Sequence, residues 1–179
     1  MIGFSIDPLA TKKTKQVIRK NLDVPASDWK IYEECGCAMD SLKDQSECID
    51  AVFTSPPYYL NAEPYSDDPR DLCNMSIDAF NSKIDQMFSN LKRLIKTSSF
   101  EDRIFYPILI TVGTARDGKN GIYDMNTAFQ NIAKDHSLSL WDQMFIQTNN
   151  PHLVTSIQRN YELRMTHKNY EVQVCWMKF

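Results

Sequence analysis

The chain has 179 residues, of which 42% are hydrophobic and 24% are charged, and its formal net charge is −3. This length and composition predict one globular domain over residues 1–179, with an ordinary hydrophobic core and no second domain. No apolar run is long enough to span a membrane and no signal-peptide pattern is found, so we expect a cytoplasmic protein.

Charge, cysteine content and glycine content further limit the kinds of binding site that the sequence can form. The net negative charge excludes nucleic-acid binding by overall basicity, so any such contact must come from a local patch or from a partner. The chain has five cysteines, an odd number without zinc-site spacing, so we predict neither a disulfide framework nor a metal site. None of the five glycines forms Gly-x-Gly, so there is no glycine-rich loop of the kind that lets a backbone approach a nucleotide.

Strands and helices are predicted to alternate. The predicted elements are, in chain order, a strand at 2–6, a helix at 11–21, a strand at 29–33, one or two helical turns at 39–45, a strand at 49–53, a polar loop at 59–75, a helix at 76–96, a strand at 105–112, a charged loop at 115–123, a helix at 125–134, and strands at 138–147 and 170–177. The alternation predicts parallel strands with right-handed crossovers. The last two strands lack an intervening helix and predict an antiparallel hairpin.

The most informative segment comes directly after the strand at 49–53. Two consecutive prolines, Pro56 and Pro57, end this strand and stiffen the residues beyond it, because proline lacks an N–H and fixes φ. The Ser55 hydroxyl and the Pro56 carbonyl then become fixed acceptors beside the flat ring of Tyr58. Such a rim suits a flat heterocycle that carries an exocyclic amine. The plainer alternative is a proline-stiffened turn after a strand.

Residues 50–59, Asp-Ala-Val-Phe-Thr-Ser-Pro-Pro-Tyr-Tyr, resemble motif IV of the DNA amino-methyltransferases, which methylate cytosine N4 or adenine N6 with S-adenosylmethionine. Residues 61–68 are similar to the acidic and aromatic segment that often follows that motif. Residues 164–172 are similar to motif VIII, with Lys168 in place of the usual Glu, and residues 3–8 resemble motif II.

The resemblance implies a fold and an activity. The fold is the Rossmann-like class I methyltransferase sheet, an α/β architecture that is mostly parallel with a C-terminal antiparallel hairpin. The implied activity is S-adenosylmethionine-dependent methylation of a DNA base, as in restriction-modification systems, with cytosine N4 favoured over adenine N6. The target sequence, and whether DNA or RNA is the substrate, are left open.

The resemblance also assigns residues to roles. The base would be held by the rim of Ser55, Pro56, Pro57 and Tyr58. The cofactor would contact Asp7, which accepts both ribose hydroxyls, and also Gly36, Cys37, Ala38 and Thr54, with Cys37 where the family often has Asp. The candidate DNA contacts are Tyr59, Tyr65, Arg159, Arg164, His167 and Lys168. The plainer alternatives are an Asp-Pro turn for Asp7 and ordinary solvated loop positions for the basic residues.

One expected part is not found. The family's glycine-rich motif I either precedes residue 1 or survives in residues 7–12 without its glycines. In the first case the sheet lacks its first central strand and exposes edges that a second chain or a second copy can pair. We therefore weigh two hypotheses. One is an amino-methyltransferase, either whole or as one part of a split enzyme whose partner completes the sheet and recognises the target. The other is a catalytically inactive methyltransferase-like domain with a structural or DNA-binding role.

Overall fold

The computed structural model of the chain describes residues 1–21, 24–57, 66–117, 121–147 and 170–179. Its helices are α1 (Pro8–Asn21), α2 (Ile77–Leu94) and α3 (Met125–Asp135). Its strands are β1 (Ile2–Phe4), β2 (Lys30–Tyr32), β3 (Val52–Thr54), β4 (Ile108–Val112), β5 (Thr114–Asp117), β6 (Gly121–Asp124), β7 (Ser139–Gln147) and β8 (Tyr170–Met177). Short 3-10 turns lie at Ala26–Asp28, Asp40–Leu42 and Leu72–Asn74.

Helix α2 forms where helical spacing predicts it. The Ser76 hydroxyl caps its first turn by accepting the Ala79 N–H at 3.3 Å. Apolar residues recur three and four positions apart, so they share one face of the helix. That face is buried and consists of Phe80, Ile84, Met87, Phe88, Leu91 and Leu94.

The described strands form separate sheets. One is the parallel pair β1–β2, and a second is four-stranded with the order β3-β4-β8-β7. In the four-stranded sheet β3 and β4 are parallel, whereas β8 is antiparallel to both β4 and β7. The mixed sheet therefore ends in the antiparallel hairpin that the sequence predicted.

The core lies between this four-stranded sheet and helices α2 and α3. Trp176 of β8 packs edge-on against Phe88 of α2, with ring centroids 5.3 Å apart. Phe129 of α3 completes the aromatic contact at 5.9 Å from Phe88. All three side chains are almost completely buried, so this cluster joins both helices to the sheet.

Some boundaries differ from the prediction. The charged segment 115–123, predicted as a loop, contributes instead to a hairpin of β5 and β6, which packs against α3. The strand predicted at 49–53 begins only at Val52, because Ile49 forms an isolated bridge with Ile95 and not a continuous ladder. The part of the polar loop that is described, residues 66–75, is folded and buries Asp71 and Leu72.

Within the described residues, no helix combines the length and the apolar character that crossing a bilayer requires.

Candidate functional site

A cavity of about 830 Å³ lies among the first three strands and the turns that follow them. Its lining comes from the segments 1–7, 35–39, 48–57 and 66–72, together with Met87 and Leu91 of α2. Segments that are distant in sequence thus meet at one place, and the volume is within the usual range for a site that binds a small molecule or cofactor.

The proline rim forms one wall of this cavity. β3 ends at Thr54, and Ser55, Pro56 and Pro57 continue from it along the lining. Pro56 is buried while Ser55 is exposed, so the proline anchors the rim and leaves the serine hydroxyl accessible. A rim of this kind is stiff because both prolines restrict φ.

Asp7 is also part of the cavity lining, three residues after the end of β1. Its Oδ1 accepts the Leu9 N–H at 2.8 Å, and its carbonyl accepts the Thr11 N–H at 2.9 Å. Asp7 is therefore the N-cap of α1, which fixes its carboxylate at the cavity wall. Among the described residues Oδ2 accepts no hydrogen bond, so it is available to a ligand donor.

The turn after β2 supplies a third wall. The Cys35 carbonyl accepts the N–H groups of Ala38 and Met39, each at 3.1 Å. From α2, the Asn90 side-chain amide donates to the carbonyls of Cys37 and Ala38, each at 2.9 Å. This one amide joins the turn to the helix, and so holds Gly36 and Cys37 at the cavity.

Two thiols in this turn perturb each other. The Cys37 thiol hydrogen-bonds the Cys35 sulfur, and this bond, helped by backbone N–H groups and by the charge of Lys83, lowers the pKa of Cys35. The same bond, together with burial, raises the pKa of Cys37. Cys35 is thus the more acidic of the two thiols, and it is part of the cavity lining.

The segment 66–72 lines the cavity as well. The sequence predicted it only as part of a polar loop, whose residues 61–68 resemble the segment that follows motif IV. Asp71 is buried, and its carboxylate accepts the N–H groups of Ser66 at 2.9 Å and Cys73 at 3.1 Å. Arg70 brings a positive charge to the lining and pairs with Asp68 at 2.6 Å. This guanidinium lowers the pKa of Asp68. The charged run at 67–71 signalled only a polar loop, because nothing periodic marks its fold.

The predicted site residues divide into three groups. Those that line the cavity are Asp7, Gly36, Cys37, Thr54, Ser55, Pro56 and Pro57. Ala38 lies in the same turn but is not part of the lining. Those that lie outside the described residues are Tyr58, Tyr59, Tyr65, Arg159, Arg164, His167 and Lys168. Over the described ranges, no group of three or more His, Cys, Asp or Glu side chains is placed to hold a metal ion.

No protein-family model and no curated protein matches the sequence. Several solved structures resemble the fold. A structure described as a DNA modification methylase of Thermus thermophilus, complexed with S-adenosyl-L-methionine, matches 79% of this chain with a TM-score of 0.54 and 12% identity. This chain spans only 50% of that protein.

Two further structures match 99% of this chain. A SAM-dependent methyltransferase from Methanosarcina mazei has a TM-score of 0.58 at 8% identity, and 81% of its own chain is covered. A protein described as a sarcosine dimethylglycine methyltransferase of Galdieria sulphuraria has a TM-score of 0.57 at 10% identity, with 69% of its chain covered. At such identities the likeness shows the fold, which is the Rossmann-like α/β fold of S-adenosylmethionine-dependent methyltransferases.

Proposed function

We propose that this chain transfers a methyl group from S-adenosylmethionine to an exocyclic amine of a DNA base, with cytosine N4 favoured over adenine N6. The observation that carries the proposal is the cavity shared by Asp7, the turn at 35–39 and the Ser55-Pro56-Pro57 rim. Those segments were assigned to the cofactor and to the base from sequence. The DNA modification methylase of Thermus thermophilus supports the same substrate class by analogy.

The cofactor side of the cavity offers groups that support binding of an adenosine. The open oxygen of Asp7 can accept a ribose hydroxyl, while its other oxygen stays bonded to the Leu9 N–H. At the turn, Asn90 holds the backbone around Cys37 in place, so the wall needs little rearrangement when a ligand binds. When bound, S-adenosylmethionine supplies a methyl group activated by a positively charged sulfur.

The base side would use the rim. The Ser55 hydroxyl and the Pro56 carbonyl accept the two hydrogens of the amine and increase the electron density on its nitrogen. The nitrogen would attack the methyl carbon of the bound donor as its carbon–sulfur bond breaks, the neutral thioether would leave, and one amine proton would pass to water. The protein contributes position and electrostatics to this step, because direct transfer needs no covalent intermediate. The base has to leave the duplex to reach the rim.

Two measurements test the proposal. Calorimetric titration with S-adenosylmethionine should show binding that weakens in Asp7→Asn, whose amide still caps α1 but has lost the charge. Asp135→Asn, an exposed carboxylate at the end of α3, is the matched control and should bind normally. Absence of binding to the unaltered chain would instead favour the inactive methyltransferase-like domain, or an enzyme that requires a partner.

Transfer of a radioactive methyl group to DNA tests the rim. Ser55→Ala should lower the rate about 100-fold, the usual effect of removing one preorganised hydrogen-bonding group from a reaction centre. Ser46→Ala, an exposed serine outside the cavity, should leave the rate unchanged. Full activity in Ser55→Ala would remove the rim from the reaction. Mass analysis of the modified nucleosides separates cytosine N4 from adenine N6.

A further inference from the structure

Two strand edges face the cavity, and the hydrogen bonds on their other sides identify which backbone groups point into it. In the β1–β2 pair, the Lys30 N–H donates to the Met1 carbonyl at 2.9 Å, and the Ser5 N–H donates to the Tyr32 carbonyl at 3.0 Å. Successive residues of a strand direct their backbone groups to opposite sides. The N–H and C=O groups of Ile2 and Phe4 therefore point away from β2.

The backbone groups of β3 alternate in the same way. The Val52 N–H donates to the Pro107 carbonyl at 2.9 Å, so Val52 faces the β4 side, and so does Thr54. The N–H and C=O of Phe53 then point away from β4. Within the part of the chain that is described, the backbone groups of Phe53 form no hydrogen bond on this side, and neither do those of Ile2 and Phe4.

These two edges belong to one cavity, because residues 1–7 and 48–57 line it without interruption. The stretches 1–4 and 51–53 contain no charged side chain, and they expose apolar groups: Phe53 is 73% exposed and Ile2 is 41% exposed. Donors and acceptors alternate at strand spacing on both sides of an apolar slot. Unpaired backbone groups of this kind are a template for strand addition.

We propose that an extended segment of another polypeptide inserts between β1 and β3 and joins the two sheets. An inserted strand bonds to Ile2 and Phe4 on one side and to Phe53 on the other, so it is held by two ladders, where ordinary strand addition to a sheet edge provides one. The segment it fits is short, and its central residues are uncharged and apolar. Asp7, Gly36 and Ser55 lie beyond the strand ends and stay open to a small ligand. The proposal does not depend on methyl transfer.

Residue-resolved amide exchange tests the slot in the intact chain. Without a partner, the amides of Phe4 and Phe53 should exchange at least about tenfold faster than those of Ser5 and Val52, which are bonded to neighbouring strands. The probe is the synthetic peptide acetyl-Lys-Thr-Val-Ile-Val-Gly-Lys-amide. When added, it should slow exchange at Phe4 and Phe53 about tenfold, and the same peptide with proline at its central position should not.

A pair of variants separates the backbone from the side chain. Phe53→Pro removes the N–H that faces the slot and leaves the β4 side of the ladder intact, whereas Phe53→Ala keeps that N–H and removes only the ring. The peptide should bind Phe53→Pro at least about threefold more weakly than Phe53→Ala.

Three results would overturn the proposal. The first is exchange at Phe4 and Phe53 in the free chain as slow as at Ser5 and Val52, which would mean that the slot is already filled. The second is no protection by millimolar peptide. The third is equal protection by the proline-containing peptide. This comparison uses the unaltered chain, so it is valid even if Phe53→Pro fails to fold.

Discussion

Replacing Asn90 should disturb the cavity wall strongly while changing the hydrophobic core little. Its side-chain amide donates to the carbonyls of Cys37 and Ala38, each at 2.9 Å, and is partly buried. Asn90→Ala removes both bonds and leaves the two carbonyls without this donor. It also removes the bond that Asn90 Oδ1 accepts from Arg93 one turn along α2, at 3.0 Å, which is of the same kind as the bond lost in the control below. A net contribution of about 0.5–1.5 kcal/mol per hydrogen bond predicts a loss of about 1–3 kcal/mol from the free energy of unfolding.

Urea denaturation followed by far-ultraviolet circular dichroism measures this loss as a lower midpoint with an unchanged slope. Asn126→Ala is the control, because Asn126 accepts only a side-chain bond, from Gln130 at 2.9 Å one turn along α3. Such a side-chain pair on a helix contributes about 0.2–0.5 kcal/mol to the free energy of unfolding. If Asn90→Ala and Asn126→Ala destabilise the chain equally, the two bonds from α2 do not hold the turn, and the reasoning fails.

Three further side chains have contacts that predict measurable effects. Asp71→Ala should lower the free energy of unfolding by about 1–3 kcal/mol, because it removes a buried carboxylate that accepts from two partly buried N–H groups; an unchanged urea midpoint would contradict this. Cys37→Ala should move the alkylation midpoint of Cys35 to higher pH, since it removes the bond that lowers the Cys35 pKa; identical pH profiles, read by peptide mass spectrometry, would count against the thiol pair. Trp176→Ala should cost about 3–5 kcal/mol, and a loss below about 1 kcal/mol would show that its contact with Phe88 is not a central part of the core.

The parts of the fold that were predictable have a periodic apolar pattern. Helix α2 lies within the predicted range 76–96, and the sequence neighbours Met87 and Phe88 are both buried, because the buried face is wider than one narrow stripe. The β5–β6 hairpin was not predictable. Its strands carry charged residues and glycine, and so their pairing is visible only in three dimensions, where the hairpin meets α3.

The candidate site shows the same division. Asp7 and the Ser55-Pro56-Pro57 rim line the cavity, and the sequence offered them as candidates because each follows a predicted strand with an unusual residue type. Arg70 and Asp71 could not, since their place at the cavity depends on how residues 66–75 fold back. The role of Asn90 also depends on tertiary structure, because it lies in an ordinary helix and contacts a turn that is far away in sequence.

The position of β8 in its sheet constrains the order of folding. β8 lies between β4 and β7, with Ile108 opposite Trp176 and Ser139 opposite Met177. Until β8 arrives, β4 and β7 have no neighbour on the sides that it will occupy, and closing the intervening chain costs entropy before any contact forms. Helices α2 and α3 depend on local contacts and can form earlier. Insertion of β8 should therefore be the late step of refolding, and because it buries Trp176, a change in tryptophan emission that lags behind the helical signal would reveal it.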